Sequence, residues 1–416
     1  MAVTNTGARF NATSIQNAMY EFYLPGFRMN IKDPDKHYFM NALEGNGYTS
    51  ISGKYAVYGL QKGVQGGAGS ISDTADYKNP STAGKVRQIV YMKNLQANAS
   101  IDLKTIASGK KDGAFDDALA SEMSTMLISA KKDKARQMFT TEKGTIDTVK
   151  TTVTTQDFTA SGGVALVMNS VDRFEIGYRV DIYNGDTLIA DELEIVDVDR
   201  GAGVKIYLEK TSYTVTTVSA LTVTAGWQVI NSGAKDNEIT GLESAIYGSS
   251  DNTDTYHGID RTTNKWYVAQ KDAHDGTALD ESILRDAKDG VDVNGFGVCD
   301  LAVARHKVVK GYETELTSLK RYSEIGLKTL AGGYKALEHD GQPFVKDRDS
   351  SIGYVYGINK STWEKPTYQE YDFDDFDGSI FKFTGGPRYT FRMIEFCNIT
   401  TDSPRSNFVI TNVLES

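Results

Sequence analysis

Apolar residues recur with two different periods along this chain, and the change from one period to the other divides it. Residues 112–139 carry the clearest helical spacing, with Phe115, Leu119, Met123, Met126, Leu127, Ala130 and Met138 on one broad face. Asp112 is placed to cap the start, and Asp116 and Asp117 stand at the positive end of the helix dipole. Lys131, Lys132, Lys134 and Arg136 gather at the opposite end, which the dipole also favours. The methionines of that face read as core filler. Over 145–233 the helical period vanishes and Thr and Val become dense. Strands are expected at 148–154, 164–168, 178–183, 193–198, 204–208 and 221–230, with tight-turn residues at Asn184-Gly185-Asp186 and Gly201-Ala202-Gly203. This stretch reads as a small all-β domain, inserted between a helix and the chain that follows; its strands look self-contained, so excising 158–232 should leave the remainder folded. From 234 onward both periods return. Helices are expected at 279–290 and 306–321, strands at 299–304 and within 350–383, a long strand at 388–399 and a last one at 408–413 after Pro404.

The first hundred residues look different. Residues 1–48 form an arm with a short helix over 12–23, stopped by Pro25-Gly26. Residues 49–106 read as a long β-hairpin: an outgoing half over 51–60, a glycine-rich tip at 63–70, and a return half over 85–106. Neither segment holds many apolar anchors. An isolated hairpin is marginal in water, so this one needs a surface to lie on, its own or a neighbour's.

At 416 residues the chain exceeds one ordinary compact unit, so two or three domains, or one with insertions, are expected. No apolar run approaches the ~20 residues that span a bilayer, and the start lacks the regions of a secretion signal. Cys299 and Cys397 lie in strand-like runs and read as buried reduced thiols. A net charge of -10 repels phosphate on average, which argues against a nucleic-acid-gripping module and suits a container wall.

Motifs of catalysis are missing. There is no phosphate-binding loop, nucleophile elbow, zinc-protease helix or CxxC pair. His37, His257, His274, His306 and His339 are scattered and read as surface or capping residues. The run Asp372-Phe373-Asp374-Asp375-Phe376-Asp377-Gly378 fails as a calcium loop, because Phe376 stands where a third oxygen ligand belongs and no Glu closes it. It reads as a solvated acidic loop, or as a charge-complementary contact with another subunit. No catalytic residue, cofactor or metal is expected; an enzyme would need residues that converge only in space.

The order of parts, α+β throughout, resembles the major capsid proteins of tailed bacteriophages, the Hong Kong 97-like fold. Three segments carry the likeness. Gly241-Leu242-Glu243, followed by the run from Tyr256-His257-Gly258-Ile259-Asp260-Arg261 to Asn264-Lys265-Trp266, is similar to a stretch of a subset of that family. Leu279 to Tyr322 is similar to its helix–strand–helix, and Tyr389 to Val413 to its penultimate and closing strands. The resemblance implies an N-terminal arm (1–48), an E-loop hairpin (49–106), a P-domain spine helix (107–144), the insert (145–233), an A-domain (234–370), P-domain strands (371–404) and a closing A-domain strand (405–416). It implies hexamers and pentamers of one chain, forming an icosahedral shell around double-stranded DNA that is enclosed without sequence-specific binding. A separate scaffolding protein, a portal, assembly in the host cytoplasm and residence in the virion go with it. Opposite charge on two weakly anchored segments suggests that Lys85, Arg87 and Lys93 meet Asp372, Asp374, Asp375 and Asp377 of a neighbour. The alternatives are an encapsulin-like nanocompartment shell and a β-rich tail or surface-binding protein.

Overall fold

The structure is a computed structural model. It describes residues 37–45, 49–73, 76–102, 118–159, 163–201, 203–210, 221–247, 254–295, 297–319, 327–329, 335–339, 341–374, 382–383 and 388–415. The expected helix over 12–23, the Asp112 cap, and Asp116 and Asp117 lie outside these residues.

A seven-stranded mixed sheet organises the C-terminal half. Its order is Gln270–Ala273, Phe408–Thr411, Val355–Ile358, Leu301–Ala304, Gln342–Lys346, Lys335–His339, Leu327–Thr329. The middle strand, Leu-Ala-Val-Ala, is buried along its whole length, which is why its sequence is a continuous apolar run rather than an alternation. Its two faces serve two cores. Ala302 and Ala304, with Phe344, Val355, Phe408 and Ile410, pack beneath the helices α3 (Glu281–Gly290) and α4 (His306–Leu319). Leu301 and Val303, with Val345, Tyr356, Ile358 and Val409, face the largest core, which also takes Phe139, Trp363 and Phe39 from helix α1 (Tyr38–Gly45). Helix α3 starts where Asp280 accepts from the amide of Ile283 at 2.9 Å, a cap worth about 1 kcal/mol. Within the sheet, a Cβ at Gly357 would stand 2.0 Å from the ring of Phe408 on the next strand, so only glycine lets that ring lie flat.

A second sheet is built on the strand Arg388–Cys397. On one side it pairs antiparallel with Pro366–Phe373 and Lys382–Phe383; on the other it pairs along its full length with Lys93–Asp102. The long helix α2 (Ala118–Gln137) covers this sheet, Met126 meeting Ile101, Phe391 and Met393. Leu127, expected on the buried face, is 41% exposed. The basic end of α2 is not a solvated complement to the dipole. Lys132, Lys134 and Arg136 are all buried, each against a carboxylate far away in sequence: Lys132 with Glu175 at 3.1 Å, Lys134 with Glu395 at 2.9 Å, Arg136 with Glu238 at 2.5 Å.

Residues 145–231 form a third unit with its own hydrophobic cluster around Leu166, Phe174, Ile182, Leu193 and Leu208. Six antiparallel strands run in the order Thr145–Thr148, Gln228–Asn231, Arg179–Asn184, Thr187–Asp199, Lys205–Lys210, Val164–Val167. The two edge strands meet again through a bridge between Val149 and Met168, and the amide of Lys150 donates to the carbonyl of Val167 at 2.8 Å. The sheet therefore curls into a small barrel, which removes exposed edges. Thr145 lies opposite Ile230 in the ladder, so the chain enters and leaves side by side. Excising 158–232 would strand Thr145–Thr148 and Val153–Gln156 without their partners Gln228–Asn231 and Leu221–Val223. The closed β unit runs over 145–231, tied to the body by the Lys132–Glu175 and Arg305–Asp172 pairs.

The expected hairpin is shorter than 49–106. Ala56–Gln61 pairs with Lys85–Val90, but Lys93–Asp102 leaves the hairpin for the second sheet, and Thr49–Ser50 pairs parallel with Pro366–Thr367. Its base is also better anchored than its composition suggests. Leu60, Val90 and Leu95 are buried, and Leu60 and Leu95 enter the largest core. The histidines differ from expectation too: His37, His274 and His339 are buried and hydrogen-bonded, to Asp349, Asp275 and Tyr312 respectively. Both cysteines are buried and free, and burial pushes the Cys299 thiol up to about 12.

Candidate assembly surfaces

The hairpin is fastened at its base and bare at its tip. Gln88, buried between the strands and the body, donates through Nε2 to the Tyr267 hydroxyl at 2.5 Å and to Thr400 Oγ1 at 2.7 Å. The amide of Ile89 donates to the carbonyl of His257 at 2.9 Å. Beyond the pair formed by Lys62 and Gly84, whose amide and carbonyl meet at 2.7 Å, nearly every described residue is exposed. Val64 is 88% and Tyr77 is 91% exposed, with Ile71 also open. The tip holds itself together by small contacts, such as the Gly66 amide to Ser81 Oγ at 2.9 Å. A tyrosine and two β-branched side chains presented on a self-supported projection are what an interface uses as anchors, and what a soluble monomer ordinarily hides.

The seven charged residues proposed to meet across subunits do not form one group. Lys85 and Arg87 are exposed on the outer face of the hairpin. Lys93 is turned inward, donating to the carbonyl of Asp236 at 2.8 Å, and burial lowers its pKa. Asp372 is exposed near the end of Pro366–Phe373. Asp374 is buried and paired at 3.3 Å with Arg392 of the neighbouring strand, so its charge is satisfied within the chain. Asp375 and Asp377 lie outside the described residues. The contact reading thus narrows to Lys85 and Arg87 on one side and Asp372, Asp375 and Asp377 on the other.

A cleft of about 1060 Å³ opens at the foot of the hairpin, between Tyr91, the barrel residues Asp147 and Arg173, and Asp254, Arg305 and Ile352 of the body. Its charges are of both signs, and two of them are already paired: Arg305 with Asp172, and Asp254 with Arg261 at 2.9 Å. Among the described residues, no group of three or more His, Cys, Asp or Glu side chains is placed to hold a metal ion.

The segment that carried the sequence resemblance is a structural joint. A Cβ at Gly241 would stand 2.4–2.6 Å from the carbonyl oxygens of Thr140, Gln137 and Met138, so glycine alone lets this backbone close on the end of α2. The amide of Leu242 then donates to Met138 at 2.8 Å, which satisfies an otherwise orphaned helix carbonyl. Glu243 lies below, partly buried, its carboxyl pushed up by desolvation, and accepts from Ser351 Oγ at 3.4 Å. Arg261, fully buried, donates to the carbonyls of Ser244 and Ala245, and Asn264 orients the indole of Trp266 at 3.2 Å. These residues hold a corner; none is arranged for chemistry.

No known family pattern matches the chain, and no curated protein matches its sequence. Solved structures do match in shape. The capsid asymmetric unit of cyanophage A-1(L) covers 97% of this chain and 99% of its own at 11% identity, with a TM-score of 0.59. The holo-SrpI encapsulin complex of Synechococcus elongatus covers 98% and 97% at 8% identity, with a TM-score of 0.50. A structure of Mycobacterium phage Bobi covers 97% and 99% at 8% identity, also with a TM-score of 0.50. The chain has the Hong Kong 97-like fold of these phage capsid and encapsulin structures.

Proposed function

We propose that this chain is a major capsid protein, whose copies close into hexamers and pentamers of an icosahedral shell around double-stranded DNA. The observation that carries the reading is the shape match along nearly the full chain to a phage capsid structure, joined to a hairpin whose glycine-rich tip leaves Val64, Ile71 and Tyr77 exposed. Interfaces that persist bury roughly 1,200–2,000 Å², and a projecting arm supplies such area without enlarging the subunit. The net charge of -10 keeps the wall from adhering to packed phosphate. In this reading 1–48 is the N-terminal arm, the 56–90 hairpin the E-loop, α2 the spine helix, and the seven-stranded sheet with α3 and α4 the A-domain. The work is structural rather than catalytic, done with a separate scaffolding protein and a portal.

The purified chain should form closed particles or rings under negative-stain microscopy. Particles from producing cells should hold nuclease-protected double-stranded DNA of uniform length. The encapsulin match covers as much of the chain and gives a second reading, a shell around protein cargo. Particles carrying one enzyme and no protected DNA would favour it. Monomers at every concentration and salt would end both.

At the charged contact, the triple substitution Asp372→Lys, Asp375→Lys and Asp377→Lys should cut shell yield about tenfold at low salt, with the melting temperature unchanged. Exposed ion pairs contribute little to folding, whereas like charges across an interface cost several kcal/mol. Adding Lys85→Glu and Arg87→Glu should restore yield on sucrose gradients. Undiminished shells from the triple variant would remove this contact.

A further inference from the structure

We infer that residues 27–32 of this chain add as an antiparallel strand to the free edge of Lys93–Asp102, in a groove of about 740 Å³ between that edge, helix α2 and the barrel. The second sheet ends on Lys93–Asp102. All ten of its residues pair with Arg388–Cys397 without a shift of register, and among the described residues no strand pairs with its other edge. In an antiparallel ladder alternate residues turn both N–H and C=O away from the partner, so about half of this strand's backbone groups face outward. Natural sheets blunt such an edge with lysine, proline, a bulge or a very short strand. Here Asn94-Leu95-Gln96-Ala97-Asn98-Ala99-Ser100-Ile101 holds neither charge nor proline, and 94–100 line the groove without a break. An open, uncharged edge of this length is a template for main-chain pairing.

The two faces of the edge ask for different residues. Ala97 and Ala99 turn toward Met126 beneath α2, and their small side chains leave room there for larger apolar ones alongside. Asn94, Gln96, Asn98 and Ser100 are exposed on the other face. A fitting strand therefore carries bulky apolar residues at every second position and polar ones between. Just before the described residues the sequence holds that alternation: Phe27, Met29 and Ile31, separated by Arg28 and Asn30 and followed by Lys32. The place where this segment joins the body also suits. His37 binds Asp349 at 2.9 Å, and Arg348 beside it stands 3.8 Å from Glu175, two residues before Gly177 in the groove's wall. Lys132, the partner of Glu175, precedes the groove residue Asp133 on α2. Lys32 and His37 are five residues apart, a reach of up to about 17 Å in extended chain. Lys134 meets Glu395, the ladder partner of Leu95, whereas Met126 meets Ile101, so Asp133 marks the Leu95 end of the groove. A segment that leaves for His37 from that end runs antiparallel to the edge, the more stable pairing.

Cysteine pairs in the full chain test this, since Cys299 and Cys397 are buried. Asn30→Cys is combined in turn with Gln96→Cys, Asn98→Cys and Ser100→Cys, and purified subunits are oxidised mildly, so the result stands whether or not they close into shells. One of the three pairs should form a disulfide within a single chain about fivefold faster than Asn30→Cys with Ala97→Cys or Ala99→Cys, which face the opposite side. Disulfides only between chains would give the edge to a neighbour's segment, and equal rates at all five positions would mean nearness without pairing. Either result overturns the inference, as does the absence of any disulfide. Hydrogen exchange decides the matter if the cysteine variants do not fold. In the unaltered chain the amides of 94–101 that point away from Arg388–Cys397 should be as protected as those that point toward it. Met29→Pro, which removes a donor and breaks the alternation, should speed the outward set about tenfold and leave the inward set unchanged. Unprotected outward amides in the unaltered chain would sink the added strand.

Discussion

Replacing residues 63–83 with Asn-Gly should leave a subunit that folds normally and no longer closes into shells. Lys62 and Gly84 already face each other across the ladder, so a two-residue turn completes the hairpin without moving its base. The excised residues are nearly all exposed where described, and the anchors Leu60, Gln88 and Val90 stay in place. Thermal unfolding should therefore change by less than about 1 kcal/mol. Assembly should suffer far more. Tyr77, Val64 and Ile71 are the exposed apolar anchors of the tip, and losing three interface anchors of about 1 kcal/mol each weakens one contact roughly a hundredfold. Every subunit in a ring makes that contact. Sedimentation should show subunits or small rings where the parent chain shows particles. Particles of normal size from the shortened chain would mean that the tip is an ornament.

Arg136→Met should lower folding stability by about 3–5 kcal/mol, because it leaves Glu238 buried opposite nothing. The guanidinium meets both carboxylate oxygens of Glu238, at 2.5 and 3.0 Å, and Asp133 at 2.8 Å. This fork ties the end of α2 to the chain just after the barrel. Arg136→Met combined with Glu238→Leu should recover most of the loss, since a matched apolar pair needs no compensation. The single variant carries a pH signature. Burial already raises the Glu238 carboxyl, and without Arg136 only the weaker pull of Arg173 is left to offset it. A carboxyl raised by folding stabilises at low pH, so the variant should lose less in urea titrations at about pH 5 than at about pH 8. Equal losses at both, or a double variant no better than the single, would show that the pair is not the fastening.

Much of this architecture could be read from the residues. The Thr- and Val-rich stretch announces the barrel, because its strands are half-buried and alternate, and its turns need Asn and Gly. Leu301–Ala304, Arg388–Cys397 and Phe408–Thr411 fall where the apolar pattern puts them. The hairpin's return half misled because Tyr91-Met92 is not a turn signal. A subtler mark was present: Gln88 and Val90 point inward at even positions, whereas Leu95 and Ile101 do so at odd ones. That change of parity is where the chain passes from one sheet to another. The ion pairs of α2 left no such trace. Lys132, Lys134 and Arg136 look like any basic helix end, and their partners lie 43, 261 and 102 residues away. Only the folded chain brings them together. The acidic run misled in the opposite way, since nothing local shows that Asp374 turns inward to Arg392 while Asp372 stays out.

The barrel's doorway has a practical side. Because Thr145 and Ile230 are ladder partners, about 5 Å separates the points where the chain goes in and comes out. A foreign module whose own ends lie that close could be carried on the barrel, at an exposed turn such as Asn184-Gly185-Asp186, without disturbing the pair that Glu175 makes with buried Lys132. If the copies do close into a particle, each would then present its passenger at a fixed spacing and orientation, an ordered array set by symmetry rather than by chemical conjugation.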